Sequence, residues 1–225
     1  MRHRWISWGL LLVCIPLVIL LGAVLLEDRQ YGMISLCVAV LAMLPFYLVF
    51  EQRKTGSRKL TVIAVMTALS VAGRFVFAAV PACKPVTAMV VLTAVYFGSE
   101  AGFLTGALTA LISNFYFGQG PWTPFQMFAW GMLGLLAGLL HAPLAKSRWL
   151  LALYGLFAGA VYSMVLDVWS VVWYSPTFTM ELYGAALLTA LPYTLLYAVS
   201  NAVFLWLLAK PLGRKMKRVQ KKFGI

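Results

Sequence analysis

Eight apolar runs divide this chain, and their lengths leave it few ways to fold. They cover residues 5–26, 31–50, 60–79, 86–97, 101–117, 124–140, 149–172 and 184–209. A helix needs about 20 apolar residues to cross a bilayer, and most of the runs come near that length. The run at 86–97 is short, so it is expected to extend into its flanks, tilt or re-enter. Hydrophobic residues make up 63% of the chain and charged ones 11%, with a mean hydropathy of +0.90. No soluble domain needs that much apolar surface. The expected fold class is an all-α integral membrane protein, a helical bundle.

The basic residues orient the bundle. With the amino terminus inside, the inner segments hold Arg2 and Arg4, then Arg53, Lys54, Arg58 and Lys59, then Lys146 and Arg148. The tail adds Lys210, Arg214, Lys215, Lys217, Arg218, Lys221 and Lys222. Fifteen of the 18 lysines and arginines thus lie inside; Arg29 and Lys84 lie outside, and Arg74 falls within a span. This asymmetry predicts about eight spans with both termini cytoplasmic. It also accounts for the net charge of +12 without nucleic acid. The basic tail reads as an anchor at an anionic leaflet.

Several functions are unsupported by the residues. Cys14, Cys37 and Cys83 are far apart, and His3 and His141 are not neighbours, so no metal site is expected. No G-x-x-x-x-G-K-[ST] loop occurs, and the inner loops are too short for a nucleotide domain. No G-x-S-x-G elbow or catalytic triad can be assembled, so neither catalytic residues nor a cofactor is expected. The first run is too long for a signal-peptide core and lacks a cleavage site after it.

The most unusual stretch is SNFYFGQGPWTPFQMFAW at 113–130. Two glycines and two prolines at 118–124 make a continuous helix unfavourable. The break faces outward in this topology. So do the 80–85 turn with Lys84 and the 173–183 loop. Asn114, Tyr116, Gln119, Trp122, Thr123, Gln126 and Trp130 flank or occupy the break. Apolar walls with a few fixed polar groups are what a small-molecule pocket needs. An interfacial loop with an aromatic belt has the same composition. Arg74 and Asp167 lie in the outer thirds of their spans. Such charges face protein or water. They either pair with each other, snorkel outward, or meet a ligand at the pocket floor, while Trp173 opens the outward loop that would form part of the mouth.

Two stripes of small residues recur every four positions: Ala64, Ala68 and Ala72, and Gly98, Gly102 and Gly106. Such stripes let helix backbones approach closely in lipid, within one bundle or between partners.

Taken together, the alanine stripe, the small size, the cytoplasmic termini and the missing nucleotide domain resemble the S components of energy-coupling factor (ECF) transporters. G-R-F at 73–75, K-P-V at 84–86, F-G-S-E-A-G-F at 97–103 and the block at 113–128 look most like the cobalamin-type members. The resemblance implies a six-helix substrate-binding core over 59–210. Two added amino-terminal transmembrane helices and a basic loop fill 1–58, and 211–225 is a basic cytoplasmic tail. It implies a vitamin-capturing subunit, not an enzyme, in a prokaryotic cell membrane. Its partners would be a transmembrane coupling subunit and two cytoplasmic ATPases, with Ala64, Ala68 and Ala72 docking on the coupling subunit. Trp122, Tyr116, Trp130 and Trp173 would cover the apolar faces of a corrinoid. Asn114, Gln119, Gln126 and Thr123 would bond its amides, and Lys84 and Arg74 would meet its phosphate. A smaller vitamin or a modified base fits the same residues. A self-contained secondary transporter is the alternative, though no inverted repeat is evident.

Overall fold

The structure is a computed structural model. It describes Gly9, residues 13–18, Cys37 and residues 56–120, 122–175 and 178–224. The first two expected spans fall almost wholly outside the described residues. Ile15, which is described, is fully buried and belongs to the hydrophobic core. The described residues form helices and turns, with no strand among them.

Seven helices follow in order: α1 (Gly56–Val76), α2 (Val86–Phe97), α3 (Ser99–Phe117), α4 (Trp122–Leu139), α5 (His141–Leu144), α6 (Arg148–Tyr174) and α7 (Met180–Phe223). Six of them fall on the six apolar runs after residue 59, and α5 is a single turn between α4 and α6. Three are long and apolar enough to cross a membrane by length and composition: Ser57–Val76, Arg148–Tyr174 and Met180–Phe223. Val86–Phe97 is apolar but shorter. Polar residues dilute the other two. α3 carries Glu100, two threonines, Ser113 and Asn114, and α4 opens on Trp-Thr-Pro and holds Gln126.

The Gly/Pro break ends one helix and begins the next, as its composition predicts. Gly118 has φ +101°, a region that strains residues bearing a Cβ. Six residues later Pro124 sits in the first turn of α4, where a missing amide donor costs least. The serine and threonine before α6 and α7 cap them: Ser147 accepts from Leu150 N, and Thr179 accepts from Leu182 N.

The basic tail differs from expectation in form. Instead of a separate segment, it continues α7, which runs 44 residues with Pro192 and Pro211 inside it. At about 1.5 Å per residue this is roughly 66 Å, about twice the hydrocarbon thickness. The tail packs along the carboxyl end of α2 and the start of α1. Gly213 lies against the Tyr96 ring, Gln220 Nε2 donates to Tyr96 O, and Arg58 donates to Phe223 O at 2.8 Å.

Helix α3 packs most closely on α4. A Cβ at Gly106 would sit 2.6 Å from the Trp130 backbone, and one at Gly134 would sit 2.6 Å from the Gly102 carbonyl. On the other side of the bundle α6 packs along α7, with Gly155 and Gly159 against Ala202 and Ala198. Close backbone approach through small residues is the usual means of helix association in lipid.

Candidate functional site

The Gly/Pro break between α3 and α4 lies at one end of the bundle, beside the carboxyl end of α6 and the amino end of α7, whereas the turn between α1 and α2 meets α7 further along, at Ser200 and Phe204. Two polar assemblies form beside the break, and they are built differently.

The first is a relay centred on Arg74, which is 7% exposed. Its guanidinium donates to Ser113 Oγ and, at 2.7 Å, to Asn114 Oδ1. The Ser113 hydroxyl donates in turn to Thr109 O at 2.6 Å. The Asn114 amide nitrogen donates to Thr123 Oγ1 and to Gln126 Oε1, each at 2.9 Å. Thr123 Oγ1 also lies 3.3 Å from the amide of Gly120, which ties the broken turn to the relay. The guanidinium carbon is 4.8 Å from the Phe117 ring centroid and 5.4 Å from that of Trp130. An arginine held this way is stabilised by dipoles and π faces, although its Nε is buried without a partner among the described residues. No ion pair joins Arg74 to Asp167 among the described residues; the relay takes up Arg74 instead.

The second assembly is a cavity of about 320 Å³ between α4, α6 and α7. Helix α4 lends Trp122 and Gln126 to its wall. Helix α6 lends Ser163, Leu166, Asp167, Trp169 and Ser170. Helix α7 lends Ala190, Tyr193 and Tyr197. The Trp122 and Trp169 rings meet edge to face with centroids 5.7 Å apart. Behind the wall Trp130 stacks on Tyr162 at 4.8 Å, and Tyr162 meets Tyr197 at 5.2 Å. Asp167 Oδ2 and Trp169 Nε1 are buried with no hydrogen-bond partner among the described residues. Unsatisfied buried groups are costly, and a ligand that meets them recovers that cost.

The expected site residues therefore divide. Trp122, Gln126 and Asp167 line the cavity. Gln126 joins cavity to relay, because its oxygen accepts from Asn114. Arg74, Asn114 and Thr123 belong to the relay, and Trp130 lies beneath Arg74. Gln119 donates from Nε2 to Leu111 O at 3.0 Å and stays beside the turn. Trp173 stacks on Trp169 at 6.4 Å, just outside the wall, and is 43% exposed. Tyr116 points away from the cavity, 73% exposed, with its ring edge on Phe75. Lys84 is half-buried in the turn between α1 and α2; burial and then the nearby positive charge of Arg74 push its ammonium below the usual lysine range. That turn is held to α7 by Ser200, whose hydroxyl donates to Ala82 O at 3.0 Å. Ala64, Ala68 and Ala72 are exposed along α1, while Ile63, Met66, Thr67, Ser70 and Arg74 form its buried face.

Most of the cavity wall comes from residues that the sequence reading did not single out. One signal for them existed. Ser163, Asp167 and Ser170 follow i, i+4, i+7 on an otherwise apolar helix, so they share one face. Ala190, Tyr193 and Tyr197 share a face of α7 in the same way.

Comparison with known proteins bears on the identity of this bundle. The family model described as ECF-type riboflavin transporter, S component, matches residues 54–218. No curated protein and no solved structure gave a match. The match supports the S-component resemblance and lends no support to its cobalamin-type refinement. The block at 113–128 supplies mainly the relay and the turn, and only Trp122 and Gln126 of it line the cavity. The matched segment begins near the start of α1, includes both polar assemblies and ends within the basic stretch of α7, and the chain belongs to the family of ECF-type riboflavin transporter S components.

Proposed function

We propose that this chain captures riboflavin from outside the cell and delivers it inward together with a transmembrane coupling subunit and two cytoplasmic ATPases. The observation that supports this reading best is the cavity between α4, α6 and α7. Its volume of about 320 Å³ is at the low end of the roughly 300–1,000 Å³ that small-molecule sites occupy. A flat three-ring flavin with a slender ribityl chain suits that space, whereas a corrinoid is far larger. Trp122, Trp169, Tyr193 and Tyr197 offer aromatic surface for such a ring system, and Gln126, Ser163 and Ser170 offer polar groups. A substrate-binding subunit needs nothing more, since energy is supplied by its partners.

The alanine stripe serves the second half of the proposal. Ala64, Ala68 and Ala72 are turned away from the buried face of α1, so the described bundle does not use them for its own packing. A smooth exposed stripe permits close approach by a partner helix. It is the expected docking face for the coupling subunit.

Two measurements test the two halves separately. Mass spectrometry of ligand retained on the purified chain is expected to find riboflavin, and a retained corrinoid would overturn the ligand assignment. Ala68→Leu is expected to abolish co-purification with the coupling subunit and ATPases while leaving riboflavin binding by the isolated chain intact. Normal assembly of the Ala68→Leu chain would remove the stripe from the interface.

A further inference from the structure

Asp167 differs from every other residue of the cavity wall: it is the one charged side chain among those that line it. It is 8% exposed, and its Oδ2 is buried without a hydrogen-bond partner among the described residues. Its neighbours on the same helix face are engaged elsewhere. Ser163 Oγ shares a hydrogen bond with Thr194 Oγ1 at 2.8 Å, and Ser170 Oγ donates to Leu166 O at 3.1 Å. Neither Arg74 nor Lys84 is in the wall. Arg74 is held behind it by Ser113 and Asn114, and Lys84 lies in the turn between α1 and α2.

A carboxylate in a low-dielectric wall is stabilised by a ligand that brings an N–H or O–H donor. A ligand that brings a second negative charge raises the cost, because the wall screens the repulsion poorly. Riboflavin is uncharged and carries both an imide N–H and ribityl hydroxyls. Its 5′-phosphate ester, FMN, adds an anion to the same molecule.

Building on the flavin reading above, we propose that Asp167 is a specificity-determining residue: it accepts a hydrogen bond from a donor on the uncharged flavin and, by its charge, disfavours the phosphorylated form. The chain would then take up the free vitamin in preference to its nucleotide.

Calorimetric titration of riboflavin and of FMN into the purified full chain tests this, with the parent, Asp167→Asn and Asp167→Glu compared. The parent is expected to prefer riboflavin by on the order of tenfold or more, as like-charge juxtaposition in an interface is costly. Asp167→Asn is expected to weaken riboflavin, strengthen FMN and bring the ratio close to one. Asp167→Glu keeps the charge and is expected to keep the preference. Equal binding of the two flavins by the parent would overturn the assignment, as would a ratio unchanged in Asp167→Asn. Should the asparagine variant fail to fold, Asp167→Ser removes the same charge and takes its place, with the same expected change of ratio. Failure of the parent to bind riboflavin at all would be a different result, since it would remove the flavin reading itself.

Discussion

The relay around Arg74 and the cavity beside Asp167 adjoin through Gln126, yet they satisfy their polar groups to different degrees: among the described residues the relay leaves only Arg74 Nε open, while the cavity leaves its one carboxylate open at Oδ2. In the relay, Ser113, Asn114, Thr123 and Gln126 are joined in one chain of hydrogen bonds to a buried guanidinium. In the cavity, Asp167 Oδ2 and Trp169 Nε1 have no partner among the described residues. Buried polar groups that bond one another fix the position of helices. Buried polar groups left unbonded at a cavity are available to a ligand. The comparison separates scaffold from site within a set of residues of similar composition.

Substitutions can break or sharpen that contrast. The largest effect on stability is expected in the relay. Asn114→Ala removes the acceptor that Arg74 donates to and the donor that Thr123 and Gln126 accept from. With a charged partner involved, the cost is about 2–3 kcal/mol. Thermal unfolding in detergent reads it as a clear drop in Tm, and an unchanged Tm would show that the relay does not hold the helices. Trp122→Ala is expected to act on the cavity. Loss of an aromatic anchor from the wall costs about 2 kcal/mol of binding, or roughly 30-fold in riboflavin Kd. Its Tm is expected to change less than that of Asn114→Ala, so the two variants should exchange order between the two readouts. The smallest effect belongs to Tyr116→Ala. That ring is exposed, lies outside the cavity and meets the relay only through the Phe117 ring, so stability and affinity should stay within about 0.5 kcal/mol of the parent. A tenfold loss of riboflavin affinity in Tyr116→Ala would extend the site to the outer surface of α3.

Much of the bundle was legible because hydrophobic length and backbone chemistry are local. The apolar runs after residue 59 mark the positions of α1, α2, α3, α4, α6 and α7, and the Gly/Pro break marks the turn after α3. The length of α7 was not legible, because Pro211 and the basic stretch read as a helix end while Gly213, Met216 and Gln220 pack on the bundle and carry the helix onward. Spacing alone also left the two small-residue stripes equivalent. In the structure Gly102 and Gly106 are pressed against α4, Gly98 turns the chain at φ +101°, and the alanines of α1 stay exposed. Which stripe is used inside depends on helix crossings, and those are set by contacts far apart in sequence. The same reason hid most of the cavity. Tyr193 and Tyr197 look like any aromatic residues in an apolar span until α7 is laid against α6.

The central claim is that the cavity between α4, α6 and α7 receives a flavin. The most direct measurement is an equilibrium titration of riboflavin with the purified full chain, followed by flavin fluorescence. Saturable one-to-one quenching is expected, undiminished by excess cobalamin and weakened by Trp122→Ala. Absence of quenching, or displacement of riboflavin by cobalamin, would contradict the account.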